Sequence, residues 1–352
     1  DKGRSQPGHT DPPHDKEGCK MRRLTSIFCA AFAFCALLLT VSCERRPLMD
    51  SELMTEIRVE VDVKAISNVT CDIYNEKIQK PEISPEVMHA LFFNRKNGQL
   101  CAESFISEKE MNAEGESVFT GHIAIMPGEY RMLIYNFGTE STIVKNNYTW
   151  EDAEAYTNKV SEKTLSSYRT RNDAANEIVV YEPDHLVVAS KEKEYIPYHT
   201  EIHTISASAG SVVESYYLQI KVDGLEYVSS AQAFLSGMVS GNKISRNERI
   251  TDPENTVYFT LTKSDDKGVP VICNIFNTFG RIDNSYNRLE VTFDIKTIDG
   301  RTVQKSFDIS DLFLTEDCIK HHWLLLDEVI KIDPPEIPST GGGFAPEVED
   351  WE

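Results

Sequence analysis

Cys43 is the residue whose neighbours most clearly predict a chemical modification. It ends the apolar stretch Leu37–Cys43 (LLLTVSC), and the charged residues Glu44-Arg45-Arg46 follow it directly. Bacterial signal peptidase II cuts before a cysteine that follows small, apolar residues in this way, and the thiol then carries a diacylglycerol thioether. The pattern Thr40-Val41-Ser42-Cys43 therefore predicts signal cleavage between Ser42 and Cys43, with lipidation of Cys43.

The residues upstream of Cys43 have the order of a secretory signal. A short basic start, Met21-Arg22-Arg23, precedes an uncharged, mostly apolar run from Leu24 to Val41. This run is shorter than the about 20 apolar residues of a membrane-spanning helix. The alternatives are an ordinary cleaved signal and an N-terminal anchor helix. We expect residues 1–20, which are polar, to be a spurious upstream extension and residues 21–42 to be a lipoprotein signal peptide.

Composition limits the partners and the redox chemistry. The formal net charge of −20 repels nucleic acid, so we expect no nucleic-acid partner. Four of the eight cysteines remain after Cys43, namely Cys71, Cys101, Cys273 and Cys318. In an oxidising compartment Cys71 could pair with Cys101, and Cys273 with Cys318. Buried free thiols are the alternative, and the sequence leaves the two open.

Short strands recur along the chain after the signal. Ile57, Val59, Val61 and Val63 alternate with polar residues, which is typical of a half-buried strand. Three turn signals each predict a hairpin: Asn97-Gly98, Pro127-Gly128 and Asp299-Gly300. The segment 151–163 is polar and predicts a short helix or a loop.

Five- to eight-residue strands separated by turns are typical of β-sandwiches, and helices long enough for a parallel α/β fold are lacking in the sequence pattern. We therefore predict an all-β chain with two tandem sandwich domains, at residues 43–195 and 196–333, with the strand at 201–208 (EIHTISAS) opening the second. Residues 334–352 are acidic and rich in Pro and Gly, which predicts a tail.

No catalytic constellation emerges from the residue spacing. Ser240 is not in a G-x-S-x-G elbow, and Asp184-His185 is better explained as turn chemistry. The pair His199 and His203 has helical spacing in a strand-like context, and His321-His322 would point to opposite faces of a strand. We expect no catalytic residue, no cofactor-binding residue and no metal site. Trp150 and Trp351 lie in polar, exposed-looking segments and are mild candidates for carbohydrate contact. The alternative is that Trp150 tacks a loop, and Trp351 the tail, onto the protein by hydrophobic contact.

Four segments carry a resemblance to a known family: CERRPLMD (43–50), IMPGEYRMLIYNF (125–137), YEPDHLVVA (181–189) and GGGFAPEVEDW (341–351). They resemble the Bacteroidales lipoproteins related to FimB-type fimbrium anchoring subunits. This resemblance implies two transthyretin-like β-sandwich domains and a lipid on Cys43 that holds the protein on the outer membrane, exposed at the surface. It also implies that the partners are fimbrial subunits, bound by β-strand addition.

Proteolytic cleavage distinguishes an anchor subunit of such a fimbrium from a stalk or tip subunit. An anchor keeps its lipid and its first strand, Ile57–Val63, whereas a stalk or tip subunit loses that strand by cleavage after a basic residue, here Arg46 or Arg58. The leading hypothesis is an anchor or accessory subunit with a structural role. The alternatives are a surface lipoprotein that binds a glycan or a host ligand, and a secreted hydrolase.

Overall fold

Strands make up most of the residues that the structure describes. The structure is a computed structural model, and it describes residues 53–64, 67–70, 79–166, 168, 177–198, 201–283 and 288–335. The strands are β1 (Thr55–Val63), β2 (Val87–Asn94), β3 (Leu100–Ile106), β4 (Glu108–Met111), β5 (Ser117–Ile125), β6 (Gly128–Phe137), β7 (Thr142–Lys145), β8 (Glu154–Thr157), β9 (Val179–Tyr181), β10 (Val187–Ile196), β11 (His203–Ser211), β12 (Glu214–Asp223), β13 (Val228–Met238), β14 (Gly241–Lys243), β15 (Glu248–Ile250), β16 (Asn255–Asp266), β17 (Val269–Thr278), β18 (Glu290–Thr297), β19 (Thr302–Asp308) and β20 (Trp323–Lys331). The all-β prediction is confirmed.

The first large sheet, the N-sheet, has the strand order β3-β2-β6-β10-β11-β1-β5-β4. It curls so far that β3 and β5, which lie near its opposite ends, face each other. Gly121 of β5 lies against Ile106 of β3. A Cβ at position 121 would come within 2.9 Å of Ile106 Cγ1. The curl encloses one core, in which apolar side chains from β1, β2, β5, β6, β10 and β11 pack together.

The second large sheet, the C-sheet, has the order β19-β18-β13-β16-β17-β12-β20, with β9 added to β16. It also curls around a single core, which includes Leu218, Phe259 and Phe293. The rings of Phe259 and Phe276 stack within this core at a centroid distance of 4.2 Å.

A third, four-stranded sheet joins the two halves of the chain. In this junction sheet the order is β15-β14-β8-β7, so β7 and β8 from the first half pair with β14 and β15 from the second. The central contact is between β8 and β14, in register from Glu154↔Lys243 to Tyr156↔Gly241. The segment predicted as a helix or a loop therefore contains strand β8, because a partner distant in sequence completes its hydrogen bonds.

Two of the three predicted hairpins are confirmed and one is wrong. β2 pairs with β3 across Asn97-Gly98, and β18 pairs with β19 across Asp299-Gly300, where Gly98 and Gly300 have φ values of 70° and 85°. Strands β5 and β6 flank Pro127-Gly128 but do not pair with each other. β5 pairs with β1 and β4, whereas β6 pairs with β2 and β10. The turn thus carries the chain between strands at different places in the curled N-sheet.

Strand β11, which we expected to open the second domain, pairs in the N-sheet. It is parallel to β1 and antiparallel to β10. Its buried residues Ile205 and Ala209 belong to the N-sheet core, and only a long-range partner reveals this. The division at 195/196 stays a prediction, and the pairing favours a later boundary, near Ser211.

Helical structure is brief in the described ranges. The α-helix α1 (Glu316–His321) is capped at its N-terminus by Thr315, whose hydroxyl accepts a hydrogen bond from Cys318 N. Among the residues that the structure describes, no helix is both long and apolar enough to span a membrane.

Candidate functional site

Strand β1 lies inside the N-sheet and is the first described strand after the lipidation motif. It pairs in parallel with β11, from Ile57↔His203 to Val63↔Ala209. On its other side it pairs antiparallel with β5, from Thr55↔Ile125 to Val61↔Phe119. Both backbone edges of β1 are therefore used in hydrogen bonds.

The inward side chains of β1 fix it in the core. Ile57, Val59 and Val61 are each 0% exposed and pack among the other apolar residues of the curled sheet. Complete burial of such a side chain contributes about 1.5–3 kcal/mol relative to exposure. The alternation seen in the sequence thus places half of the strand in the core.

The outward side chains of β1 carry charge. Arg58 donates to Glu110 Oε2 at 2.7 Å, which ties β1 to β4, and its guanidinium also pairs with Glu60 at 3.1 Å. The Glu110 hydrogen bond raises the pKa of Arg58 above its ordinary value. Because these groups are partly exposed, solvent screening weakens both pairs.

Arg58 is one of the two residues after which a stalk or tip subunit would be cleaved. Its backbone pairs with Thr204 on one side and with His122 on the other. A protease would have to open β1 on both edges to reach this bond. The other candidate, Arg46, lies outside the described residues.

The chain after β1 reaches the C-sheet. Lys64 N donates to Ala209 O at 3.0 Å, and a few residues later Val69 is 0% exposed against the outer face of the C-sheet, beside Tyr217 and Trp323. Thr70 Oγ1 lies 2.9 Å from His321 Nδ1. The segment 67–70, which we call the strap, therefore links β1 to the second half. Sequence reasoning missed it because Val69, between Asn68 and Thr70, shows no strand or helix periodicity.

The two residues predicted for signal cleavage and lipidation, Ser42 and Cys43, lie outside the described residues. So do Trp351 and His199. Trp150 was predicted to lie in an exposed segment, which is wrong, and the alternative, that it tacks its loop onto the protein, agrees with its burial. It is 0% exposed and packs edge-on against Phe93 at a centroid distance of 5.7 Å, because the junction sheet covers it.

The other chemically interesting pairs have structural roles. Asp184 Oδ2 accepts from the backbone N of Ser141 and of Thr142, at 2.5 and 3.0 Å, so it holds a segment distant in sequence and does not serve its own turn. The expectation that His321 and His322 lie in a strand is wrong, because His321 ends α1 and His322 is its left-handed cap with φ 56°. Within the described ranges, no group of three or more His, Cys, Asp or Glu side chains is placed to hold a metal ion.

The cysteines of the second half are separate. Cys273 and Cys318 are both buried free thiols, so the Cys273–Cys318 disulfide does not form in this structure. Burial raises the pKa of both thiols, that of Cys318 to about 11. Cys71 lies outside the described residues, so its pairing with Cys101 stays a prediction.

Comparison with known families assigns this chain to a family. Residues 42–260 match a family model described as "Domain of unknown function (DUF5119)". The chain belongs to this family. The match starts at Ser42, beside the cysteine that we predict to be lipidated, and runs through the N-sheet into β16 of the C-sheet.

Proteins similar to this chain carry the names of fimbrial proteins and adhesins. The chain is 20% identical over 346 residues to "Putative fimbrium anchoring subunit Fim4B" of Bacteroides ovatus, covering 90% of this chain and 93% of that relative. A crystal structure of "a putative adhesin" from Bacteroides ovatus superposes with a TM-score of 0.57 at 18% identity, covering 84% of this chain and 99% of that one. "The fimbrial anchor protein Mfa2 from Porphyromonas gingivalis" gives a TM-score of 0.43 at 11% identity, over 77% of this chain and 88% of that one. The resemblance predicted from the sequence is confirmed.

Proposed function

We propose that this chain is a lipoprotein that anchors a surface fimbria, or an accessory subunit of one, at the outer membrane. The observation that carries the proposal is the position of β1. A strand that begins twelve residues after the predicted lipidation site is held on both edges in the middle of the N-sheet. The similarity to a relative named as a fimbrium anchoring subunit, over nearly the full length of both chains, supports it.

The lipid on Cys43 is the proposed membrane contact. Each buried methylene of an acyl chain contributes about 0.8 kcal/mol, and two or more chains hold a protein stably on a bilayer. The residues from Cys43 to Thr55 can span at most about 40 Å when extended, so the folded unit would stay near the membrane surface.

The strand directions suit a protein under tension. A pull on the N-terminal end of β1 is resisted by β11, which is parallel to it and leaves at the opposite end into β12. β12 in turn is parallel to β20, from Tyr217↔Trp323 to Asp223↔Lys331. A load that entered through β1 and left through the end of β20 would slide two parallel pairs lengthwise. Their hydrogen bonds would then resist together instead of opening one after another.

The edge strand β20 is the proposed docking edge for a fimbrial subunit. Among the described residues, β12 is its only strand partner, and we propose that its outer edge accepts an added strand. Val329 on this strand is 50% exposed, which gives an added strand an apolar side chain to cover. Because β20 pairs with β12, its own residues complete the C-sheet.

The decisive test replaces Cys43 with Ala in the native host. Signal peptidase II requires this cysteine, so we expect the protein to lose its acyl chains and the fimbriae to appear in the medium. Cys35→Ala, within the apolar part of the signal, is the matched control and should leave both on the cell. Intact mass of the wild-type protein should give an acylated chain that starts at Cys43 and retains β1. An unlipidated chain that starts after Arg46 or Arg58 would overturn the anchoring role, as would cell-bound fimbriae in Cys43→Ala.

A further inference from the structure

The predicted lipid tether enters the N-sheet at one end. Strand β1 begins there, and Thr55 at its start pairs with Ile125 at the end of β5. The turn to β6 follows β5 directly, so Gly128 at the start of β6, which pairs with Ile196 at the end of β10, lies at the same end. We call this the tether end, because Thr55 follows Cys43 by only twelve positions.

Exposed apolar side chains are concentrated at the tether end. Tyr195 near the end of β10, Tyr198 just after β10 and Ile202 just before β11 are 60%, 63% and 53% exposed. Tyr195 lies on the outer face of the sheet, since its neighbour Ile196 is buried in the N-sheet core. The first residue of β11 pairs near the start of β1, which places Ile202 at this end as well. Tyrosine is enriched at membrane–water interfaces, because its ring is apolar and its hydroxyl can remain in water.

The charges of the N-sheet differ between its two ends. At the tether end, a cavity of about 540 Å³ is lined by three cations and two carboxylates: Arg95, Lys96, Arg131, Glu129 and Glu192. Lys193 adds a cation, and the exposed Glu56 and Glu201 add two carboxylates, so the charges balance. At the opposite end, where β5 begins, a second cavity is lined by four carboxylates and two lysines: Glu60, Asp62, Glu114, Glu116, Lys64 and Lys191. An anionic bilayer therefore repels the opposite end more strongly than the tether end.

We propose that the tether end lies in the headgroup layer of the outer membrane, with Tyr195, Tyr198 and Ile202 inserted at the interface. This contact rests on the proposed lipid on Cys43. The tether spans at most about 40 Å, so it keeps these side chains at a high local concentration near the bilayer, and weak contacts suffice. The same short tether leaves little room for a protein partner between the tether end and the bilayer. The contact gives the anchor an orientation, in which the far end of β1, at Val63, faces away from the membrane.

Two methionines at opposite ends of β5 report on this orientation. Met126 follows the end of β5 and is half-buried, whereas Met111 pairs with Ser117 at the start of β5 and is 67% exposed. The lipidated chain is bound to vesicles of phosphatidylethanolamine and phosphatidylglycerol, and the unlipidated Cys43→Ser chain is kept in solution. Hydroxyl-radical footprinting with peptide mass spectrometry measures sulfoxide formation at both methionines. We expect the ratio of Met126 to Met111 oxidation to be several-fold lower on vesicles, because the headgroup layer covers only Met126.

Exposed residues provide the matched variants. Tyr195→Ser combined with Tyr198→Ser should return the ratio to its solution value, while the chain still floats with the vesicles through its lipid. Leu314→Ser combined with Ile319→Ser, at positions 67% and 68% exposed in the second half, should keep the low ratio. The contact is overturned if the ratio is the same on vesicles and in solution, or if the tyrosine variant keeps the low ratio. Either result leaves the anchor intact, whereas a lipidated wild-type chain that does not float contradicts the anchoring by Cys43 and this contact with it.

Discussion

Gly241 of β14 lies directly against the backbone carbonyl of Ala155 in β8. A Cβ added at position 241 would come within 2.3 Å of that oxygen. The two residues are 86 positions apart in the sequence, and the pairing of their strands joins the two halves of the chain. Since the clashing atom belongs to the backbone of a paired strand, it cannot move without disturbing the junction sheet.

Gly241→Ala should therefore destabilise the protein. We expect a loss of about 1–3 kcal/mol in the free energy of unfolding, the usual cost of overpacking, measured by urea denaturation. Gly210→Ala is the matched control, because a Cβ there meets nothing within 4 Å and the residue does not have a positive φ. It should change stability by less than about 1 kcal/mol. Equal losses in the two variants would show that the junction contact is not as tight as described.

Strand β1 should resist force better than an edge hairpin. With handles at Leu53 and Ser211, the force slides β1 along the parallel β11 and loads seven registered pairs together. With handles at Glu290 and Asp308, which face each other across β18 and β19, the force opens that hairpin one pair at a time. Single-molecule pulling should give a higher rupture force for the first geometry. A lower or equal force would remove the mechanical argument for anchoring.

Glu182 should make stability depend on pH. Burial, with a smaller contribution from the nearby charge of Asp184, raises the pKa of this carboxyl to about 7, although the hydrogen bond from Asn277 N at 3.0 Å opposes the shift. Between about pH 4.5 and pH 7 the unfolded chain releases a proton that the folded protein retains. Stability contributed by this group is therefore complete at low pH and is lost as the pH rises.

Glu182→Gln removes this dependence, because an amide can accept the same hydrogen bond without ionising. Urea denaturation should show a gain of about 1–2 kcal/mol at pH 8, allowing for solvent screening, and no gain at pH 4. The exposed Glu248 provides the control, and Glu248→Gln should leave the pH profile unchanged. A gain of equal size at both pH values would show that charge at Glu182 is not the cause.

Cys273 and Cys318 should be unreactive in the folded protein. Burial shields both thiols and raises their pKa, so few thiolates exist at pH 8. We expect iodoacetamide to modify both at least about 100-fold more slowly in the native state than in guanidinium chloride, as followed by peptide mass spectrometry. A peptide cross-linked through these two cysteines after non-reducing digestion would contradict the structure.

Several features could be predicted from the sequence because they depend on local chemistry. The lipidation motif around Cys43 is read from adjacent residues, and the period-two alternation of Ile57, Val59 and Val61 specifies a strand with one buried face. Asn97-Gly98 and Asp299-Gly300 specify tight hairpins, because glycine adopts the positive φ that such turns need. The family resemblance also depended on short segments, at 43–50, 125–137, 181–189 and 341–351.

Other features were decided only by the tertiary structure, because they depend on partners distant in sequence. A turn at Pro127-Gly128 looks the same whether or not its flanking strands pair, and the core placed β5 and β6 in different parts of the N-sheet. The parallel pairing of β1 with β11 and the strap at Val69 leave no local signal at all. The short strand β8 has too few residues to be recognised, and it exists because β14 satisfies its backbone and Gly241 allows the close approach. Local chemistry thus determined the strands and hairpins and predicts the lipid tether, whereas long-range hydrogen bonding and packing determined which strands meet and how the two halves are held together.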